Sequence, residues 1–217
     1  MKYSVRQFKS LAVALKELEP FIRNGVHLQT GKPFEQFGGM RSRELLANWL
    51  LCVAINAVSE GKVTLCSDPT GGDGIICDMA TGETWPTEHV MVPRLPAGQT
   101  DDTETLFLEK IRRKRDKGGA AYAAGKTLVV FLEAGVGAGA WRPNRLARQL
   151  PDPLHFATVW VVALQKVEDG AYVYAVTNLD VSEGDAPTLL VRIAKEFDRW
   201  EVTWVQRPPS LAPLTTA

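Results

Sequence analysis

The run KTLVVFLEAG, Lys126 to Gly135, narrows the fold more than any other stretch of the chain. It has the length of a strand, and its apolar residues are continuous rather than alternating. A strand with one face in water alternates apolar and polar side chains. A continuous run belongs to the centre of a sheet covered on both faces. The stretch RSRELLANWLLCVAINAVSEG, Arg41 to Gly61, makes the matching demand on a helix. It is apolar on most faces, has Ser42 as a cap and ends at Gly61, so it reads as a long, largely buried helix. Together these two stretches predict an α/β sandwich.

The region between them is β-like. KVTLCSDP reads as a strand ended by Pro69, and GIICDMATGETWPTEHVMVP as two strands joined by a tight turn at Thr81-Gly82. A polar loop, LPAGQTDDTE, leads to a cap at Asp102 or Thr103. ETLFLEKIRRKRDKGGAAYAAG is then a helix stopped by Gly118-Gly119. GVGAGAW reads as a loop, RPNRLARQLPDP as a short helix with Pro143 near its first turn, and HFATVWVVALQKVEDGAYVYAVTNLD as a hairpin around Glu168-Asp169-Gly170. APTLLVRIAKEFDRW reads as another helix and EVTWVQRPP as a last strand. At the start, Phe8, Leu11, Leu15 and Leu18 recur with a helical period behind Ser4 as cap, and Pro20 allows only a short continuation. NGVHLQTGKPFEQFGGM reads as a loop. With neither repeat nor linker, the reading is a single domain over 1–217, with a helical N-terminal extension over 1–40 and a core over about 41–176.

Lys plus Arg number 25 and Asp plus Glu number 25, so no global field steers the chain to a charged partner. Any nucleic-acid surface must be local. Cys52, Cys66 and Cys77 lie in apolar stretches without a C-x-x-C pair, which predicts buried thiols in a reducing compartment. The first residues carry charge throughout, and no apolar run reaches the roughly 18 residues of a membrane span. The expectation is a cytoplasmic protein with no membrane partner.

Two acids stand where a strand normally carries apolar residues. Asp73 follows Gly71-Gly72 and precedes GIIC, and Glu88 precedes HVMV on the partner strand. Adjacent strands lie about 4.8 Å apart, so two acids on one face reach a common point. Like charges that close need a cation or a proton, and Mg²⁺ is the simplest cation for hard oxygen ligands. Glu44, in the first turn of the long helix, can join them, although a first-turn acid is also favoured by the helix dipole alone. Lys110, Lys114 and Lys117 share one helix face, broadened by Arg112, Arg113 and Arg115. Such acids beside such lysines suit phosphodiester hydrolysis. Arg142, Arg145 and Arg148 offer a grip on backbone phosphates, and Trp141 offers a ring to stack on a base. The plain readings are a turn residue for Asp73, a solvent-facing strand residue for Glu88 and a solvated face for the lysines. His89, next to Glu88 on a strand, is expected to point to the other face.

GGDGIICDMATGETWPTEHV, the Lys-rich helix and TLVVFLEAG, in that order, resemble the core of the PD-(D/E)XK, or restriction-endonuclease-like, nuclease superfamily over roughly Arg41 to Val176. The resemblance implies a three-layer sandwich with a mixed central sheet flanked by helices. It implies Mg²⁺ (or Mn²⁺) held by Asp73 and Glu88, with Glu44 in support, and DNA as partner. The family's lysine stands two residues after the second acid, where this chain has Val90. Lys114, or Lys110, would replace it from the following helix. Tyr122 would reach the backbone phosphate, and Lys110, Lys117, Arg113 and Arg145 would bind the nucleic acid. If neither lysine serves, the resemblance implies a catalytically inactive binding or regulatory module. A third reading is an unrelated α/β protein with structural acids. The apolar C-terminal strands would allow a homodimer.

Overall fold

The computed structural model describes residues 8–31, 33–34, 37–59, 61–94, 102–133 and 141–206. It begins with β1 (Phe8–Lys9), α1 (Leu11–Arg23), α2 (Val26–Thr30) and α3 (Ser42–Val58). The meander β2 (Val63–Cys66), β3 (Ile75–Asp78) and β4 (Thr84–Val92) follows, then α4 (Thr103–Ala123), β5 (Thr127–Leu132) and α5 (Pro143–Ala147). The chain closes with β6 (Thr158–Glu168), β7 (Ala171–Leu179), β8 (Thr188–Ile193) and β9 (Trp200–Gln206). The nine strands form one sheet in chain order. Among the described residues only β4–β5 and β5–β6 pair in parallel, and a helix lies between the neighbours in each case. The molecule is therefore mixed α/β, with helices on both faces of a mixed sheet.

The continuous apolar run of β5 divides between two cores. Val129 and Phe131 join the cluster under α1 and α3, while Leu128, Val130 and Leu132 join the cluster under α4 and α5. Every residue of β5 is buried, as a strand covered on both sides must be. In α3 every residue from Leu45 to Ala54 is buried, which accounts for a helix apolar nearly all round. The turn at Thr81-Gly82 forms as expected, with the Gly82 N–H donating to the Asp78 carbonyl.

Several elements differ from the sequence reading. The APTLLVRIAKEFDRW stretch is not a helix: Thr188–Ile193 is β8, paired to β7 and β9. Leu189, Val191 and Ile193 are buried while Arg192 is exposed, a period of two that the open edge of β7 selects over a helical period. The chain then turns tightly through Phe197, which holds a left-handed backbone (φ 54) and is fully buried. Phe8 belongs to β1, and Ser10 caps α1 by accepting from the Val13 N–H; the expected cap, Ser4, lies outside the described residues. The expected loop after Asn24 contains α2. Arg41, not Ser42, is the N-cap of α3, and the Ser42 hydroxyl donates to the His27 carbonyl. Gly118-Gly119 bends α4 rather than ending it, and helix resumes to Ala123. Among the described residues no helix is long and apolar enough to cross a membrane. Cys52, Cys66 and Cys77 are buried and form no disulfide among the described residues.

Candidate active site

The antiparallel register pairs Ile75 with Pro86. Continued two residues back along the chain that enters β3, it brings Asp73 beside Glu88. The Asp73 carboxylate accepts the His89 N–H at 2.7 Å, and its carbonyl accepts the Asn48 side-chain N–H at 3.1 Å. Gly74 makes this approach possible: its φ is +129, and a Cβ there would stand 2.4 Å from Asn48 Nδ2. Asp73 is thus pinned by its backbone to α3 and by its side chain to β4.

Glu88 faces the α4 side of the sheet and is 7 % exposed. Lys114 Nζ lies 2.9 Å from Glu88 Oε2 and 3.9 Å from Asp73 Oδ2, so one ammonium bridges both acids. Lys126, the residue before β5, reaches Glu88 Oε1 at 3.0 Å. Its ammonium also sits 4.0 Å from the centre of the Tyr122 ring, a cation–π distance. Tyr122 also lies close enough to Glu88 to favour its ionised form. Burial works to raise the Glu88 pKa, but Tyr122, Lys114 and Lys126 outweigh it and hold the carboxyl down at about 2. Burial likewise opposes the Lys114 charge, yet its contact with Glu88 keeps that pKa raised. Asp73 differs: burial raises its pKa, the repulsion of Glu88 adds to the rise, and Lys114 at 3.9 Å offsets only part of it.

On the opposite face of β4, His89 is 8 % exposed and its Nε2 lies 3.1 Å from Asn48 Oδ1. The Asn48 amide N–H is committed to the Asp73 carbonyl, so its oxygen faces the imidazole and Nε2 carries the proton. Nδ1 is then a lone-pair acceptor, buried and without a hydrogen-bond partner among the described residues. Burial, helped by the Lys114 charge, lowers the His89 pKa to about 3, so the ring is neutral at physiological pH.

Asp73, His89 and Lys114 line a polar cleft of about 370 Å³ that also includes Gly38, Gly39, Arg41, Arg43 and Glu44. Glu44 is buried and accepts the Arg41 N–H at 2.9 Å, closing the first turn of α3. Its pKa is raised by burial first and by the Asp73 charge as well. Arg43 spans the cleft wall, donating to the Gln29 carbonyl at 3.2 Å and lying within electrostatic reach of Glu44 and Asp73. Glu88 therefore meets Lys114 and Lys126, Asp73 meets Lys114, and Glu44 meets Arg41, with Arg43 in electrostatic reach of Asp73 and Glu44.

Of the residues singled out from the sequence, Asp73, Glu88, Lys114 and Tyr122 come together here, whereas Glu44 lines the same cleft but is bonded to Arg41 and does not complete a three-acid group with them. Lys110, Lys117 and Arg113 make no ion pair with these acids among the described residues; Lys117 and Arg113 are exposed on α4. Arg115 pairs with Asp116 and reaches the Pro153 carbonyl. Arg145 lies away from the cleft, 3.2 Å from buried Glu104, which also accepts the Arg142 N–H. Trp141 stacks on Phe107 against the second core. Val90 packs on that same core, on the side Glu88 faces. Lys126, Asn48 and Arg43 were not found from the sequence. Lys126 carried one signal, a cation immediately before the covered strand, but its partner depends on the parallel register that sets Glu88 against Leu128.

Asp73 and Glu88 are the two acids that share one partner here, the Lys114 ammonium. Burial is what chiefly raises the Asp73 pKa, and the nearby Glu88 charge adds to it. Mg²⁺ takes one or two carboxylates and keeps several waters. Among the described residues, no group of three or more His, Cys, Asp or Glu side chains is placed to hold a metal ion. No protein-family model, curated protein or solved structure matches this chain.

Proposed function

We propose that this chain is a metal-dependent nuclease of the restriction-endonuclease-like fold that hydrolyses phosphodiester bonds of DNA with Mg²⁺ or Mn²⁺. The observation that carries the reading is the convergence of Asp73 and Glu88 on the Lys114 ammonium beside a cleft lined by Arg41 and Arg43. The element order supports it: α3, the β2–β3–β4 meander, α4 and the parallel strand β5 follow the order on which the resemblance rests. Val90 occupies the position of the family's lysine, and Lys114 arrives from α4 on the same side of the sheet.

Asp73 and Glu88 would hold the metal, which when bound lowers the pKa of a water and neutralises phosphate charge. Lys114, bridging both acids, stabilises the charge that develops on the phosphoryl oxygens. Arg41 and Arg43 grip the flanking phosphates from the α3 side. The buried thiols suit a reducing, cytoplasmic setting. A homodimer through the C-terminal strands is compatible with β9 lying at the sheet edge.

The test is cleavage of plasmid and single-stranded DNA in Mg²⁺ or Mn²⁺, beside Asp73→Ala and Glu88→Ala. Cleavage lost in both variants supports the enzyme, and no cleavage by the wild-type chain removes it. One observation favours a second reading, a catalytically inactive binding module: both Glu88 oxygens already carry an ammonium. That module retains DNA through the cleft arginines and cleaves nothing.

A further inference from the structure

The cations around the cleft are not equally answered. Lys114 lies against Glu88 and Asp73, and Lys126, outside the cleft wall, lies against Glu88. Arg41, at the start of α3, has Glu44 as its acid, with Nε 3.8 Å away. Glu44, Asp73 and Glu133 act on Arg43 electrostatically, and none of them forms an ion pair with it among the described residues. The two arginine side chains run together. Both pass Gly31, the residue that ends α2, where a Cβ would stand 2.6 Å from Arg43 Nη1 and 3.1 Å from Arg41 Cδ. Gly31 holds φ +65, so glycine suits both the turn and the close passage. The Gln29 carbonyl braces Arg43 Nη1 in this position. Burial lowers the Arg43 pKa, and the Arg41 charge adds to the fall. Like charges held this close in a half-buried setting are relieved by an anion between them.

The shape of the donors selects the anion. A planar carboxylate offers two oxygens, enough for one guanidinium fork. A phosphate monoester offers three and carries up to two charges, enough for two guanidiniums and an ammonium in the same lining. The N-terminal end of α3, where both arginines stand, adds the positive end of a helix dipole. A cleft of about 370 Å³ has room for more than the phosphate alone. We propose that the cleft is a metal-independent receptor for a phosphate monoester, held by the Arg41 and Arg43 guanidiniums with the Lys114 ammonium beside them. The group comes from the phosphorylated end of a nucleic acid or from a small phosphorylated molecule. This site goes beyond the nuclease reading, because capture needs neither a metal nor cleavage.

Titration calorimetry of the full chain with inorganic phosphate in EDTA tests this without reference to cleavage. Wild type is expected to bind phosphate, and to bind acetate at least about tenfold more weakly. Arg41→Gln and Arg43→Gln are each expected to weaken phosphate binding about tenfold. Arg192→Gln, which removes an exposed charge on β8, is expected to leave the affinity unchanged. Should Arg43→Gln fail to fold, because Arg43 also braces the Gln29 carbonyl, the exposed Arg41 carries the test by itself. Fluorescence anisotropy in EDTA of one oligonucleotide, with and without a 5′ phosphate, separates the two sources. A preference of about tenfold for the phosphorylated end, lost in Arg41→Gln, assigns the nucleic acid. Equal binding of the two oligonucleotides, with inorganic phosphate still bound, assigns a small phosphorylated molecule, and either result supports the site. No phosphate binding by wild type, unchanged affinity in Arg41→Gln, or acetate bound as tightly as phosphate each overturns the proposal. The nuclease reading fails separately, on cleavage that is absent or indifferent to Asp73→Ala and Glu88→Ala.

Discussion

Asp73 and Glu88 have opposite electrostatic fates, and the difference is measurable. The folded Glu88 pKa of about 2 lies below its ordinary 4.5, so the stability it contributes is fully present above about pH 4.5 and lost as pH falls toward 2. In Glu88→Gln that acid limb of the stability curve flattens. At neutral pH the variant is about 2 kcal/mol less stable in urea unfolding, because Lys114 and Lys126 lose their shared partner in a half-buried setting. Asp73 carries the reverse sign. Its pKa is raised above the ordinary 3.8, so its ionisation costs stability as pH rises through that region. Asp73→Asn keeps an oxygen for the His89 N–H while removing the charge. It is expected to stabilise the neutral-pH fold by about 0.5–1 kcal/mol in urea unfolding and, on the nuclease reading proposed above, to abolish cleavage. These residues were legible in the sequence because acids behind paired glycines and inside an apolar run contradict strand chemistry. Lys126 and Asn48 were not. Nothing about a Lys before a strand, or an Asn inside an apolar helix, names its partner until register and helix rotation are set.

Between residue and fold, α4 does two jobs because it bends. Its first part presents Lys114 to Glu88, and the bend at Gly119 brings Tyr122 back onto the same carboxylate. Gly119 holds φ 60 and ψ −164, a backbone region open essentially to glycine alone. At Gly118 a Cβ would stand 2.4 Å from the Tyr122 Cβ. Gly119→Ala is expected to cost about 1–3 kcal/mol in urea unfolding and to loosen the Tyr122 contact. The loss of that contact reads out as a phenol titrating below its present pKa of about 12. The glycine pair was visible as a helix breaker, and its use as a hinge was not, since a bend and a stop carry the same local signal. β8 shows the same limit from the other side. TLLVRIAKEF supports either period, and the unpaired edge of β7 decides between them.

At the scale of the molecule, stability rests on α3 threaded through one core and β5 shared by both. Trp49 is fully buried, donates its indole N–H to the Leu11 carbonyl at 2.8 Å, and meets the Trp200 ring edge-on at 5.3 Å. It links the start of α1 to the last strand. Trp49→Ala is expected to destabilise the fold by about 3–5 kcal/mol, measured by urea unfolding. Because the candidate site spans α3, the β3–β4 pair, α4 and the start of β5, its geometry is only as rigid as this packing.

Patterning alone pointed to an α/β chain, to a strand covered on both sides within 126–135, to a buried helix within 41–61, and to two acids at the ends of neighbouring strands, of which the structure puts Asp73 just before β3 and Glu88 inside β4. Those properties are local: each follows from the period of apolar residues or from turn chemistry within a short window. Tertiary structure decided which cations meet Glu88, which tautomer Asn48 imposes on His89, whether Gly118-Gly119 bends or breaks, and whether 188–193 pairs or coils. Each of these depends on a contact between segments distant in the chain. Side chains make such contacts only after strand register and helix rotation have been set by the burial of both cores.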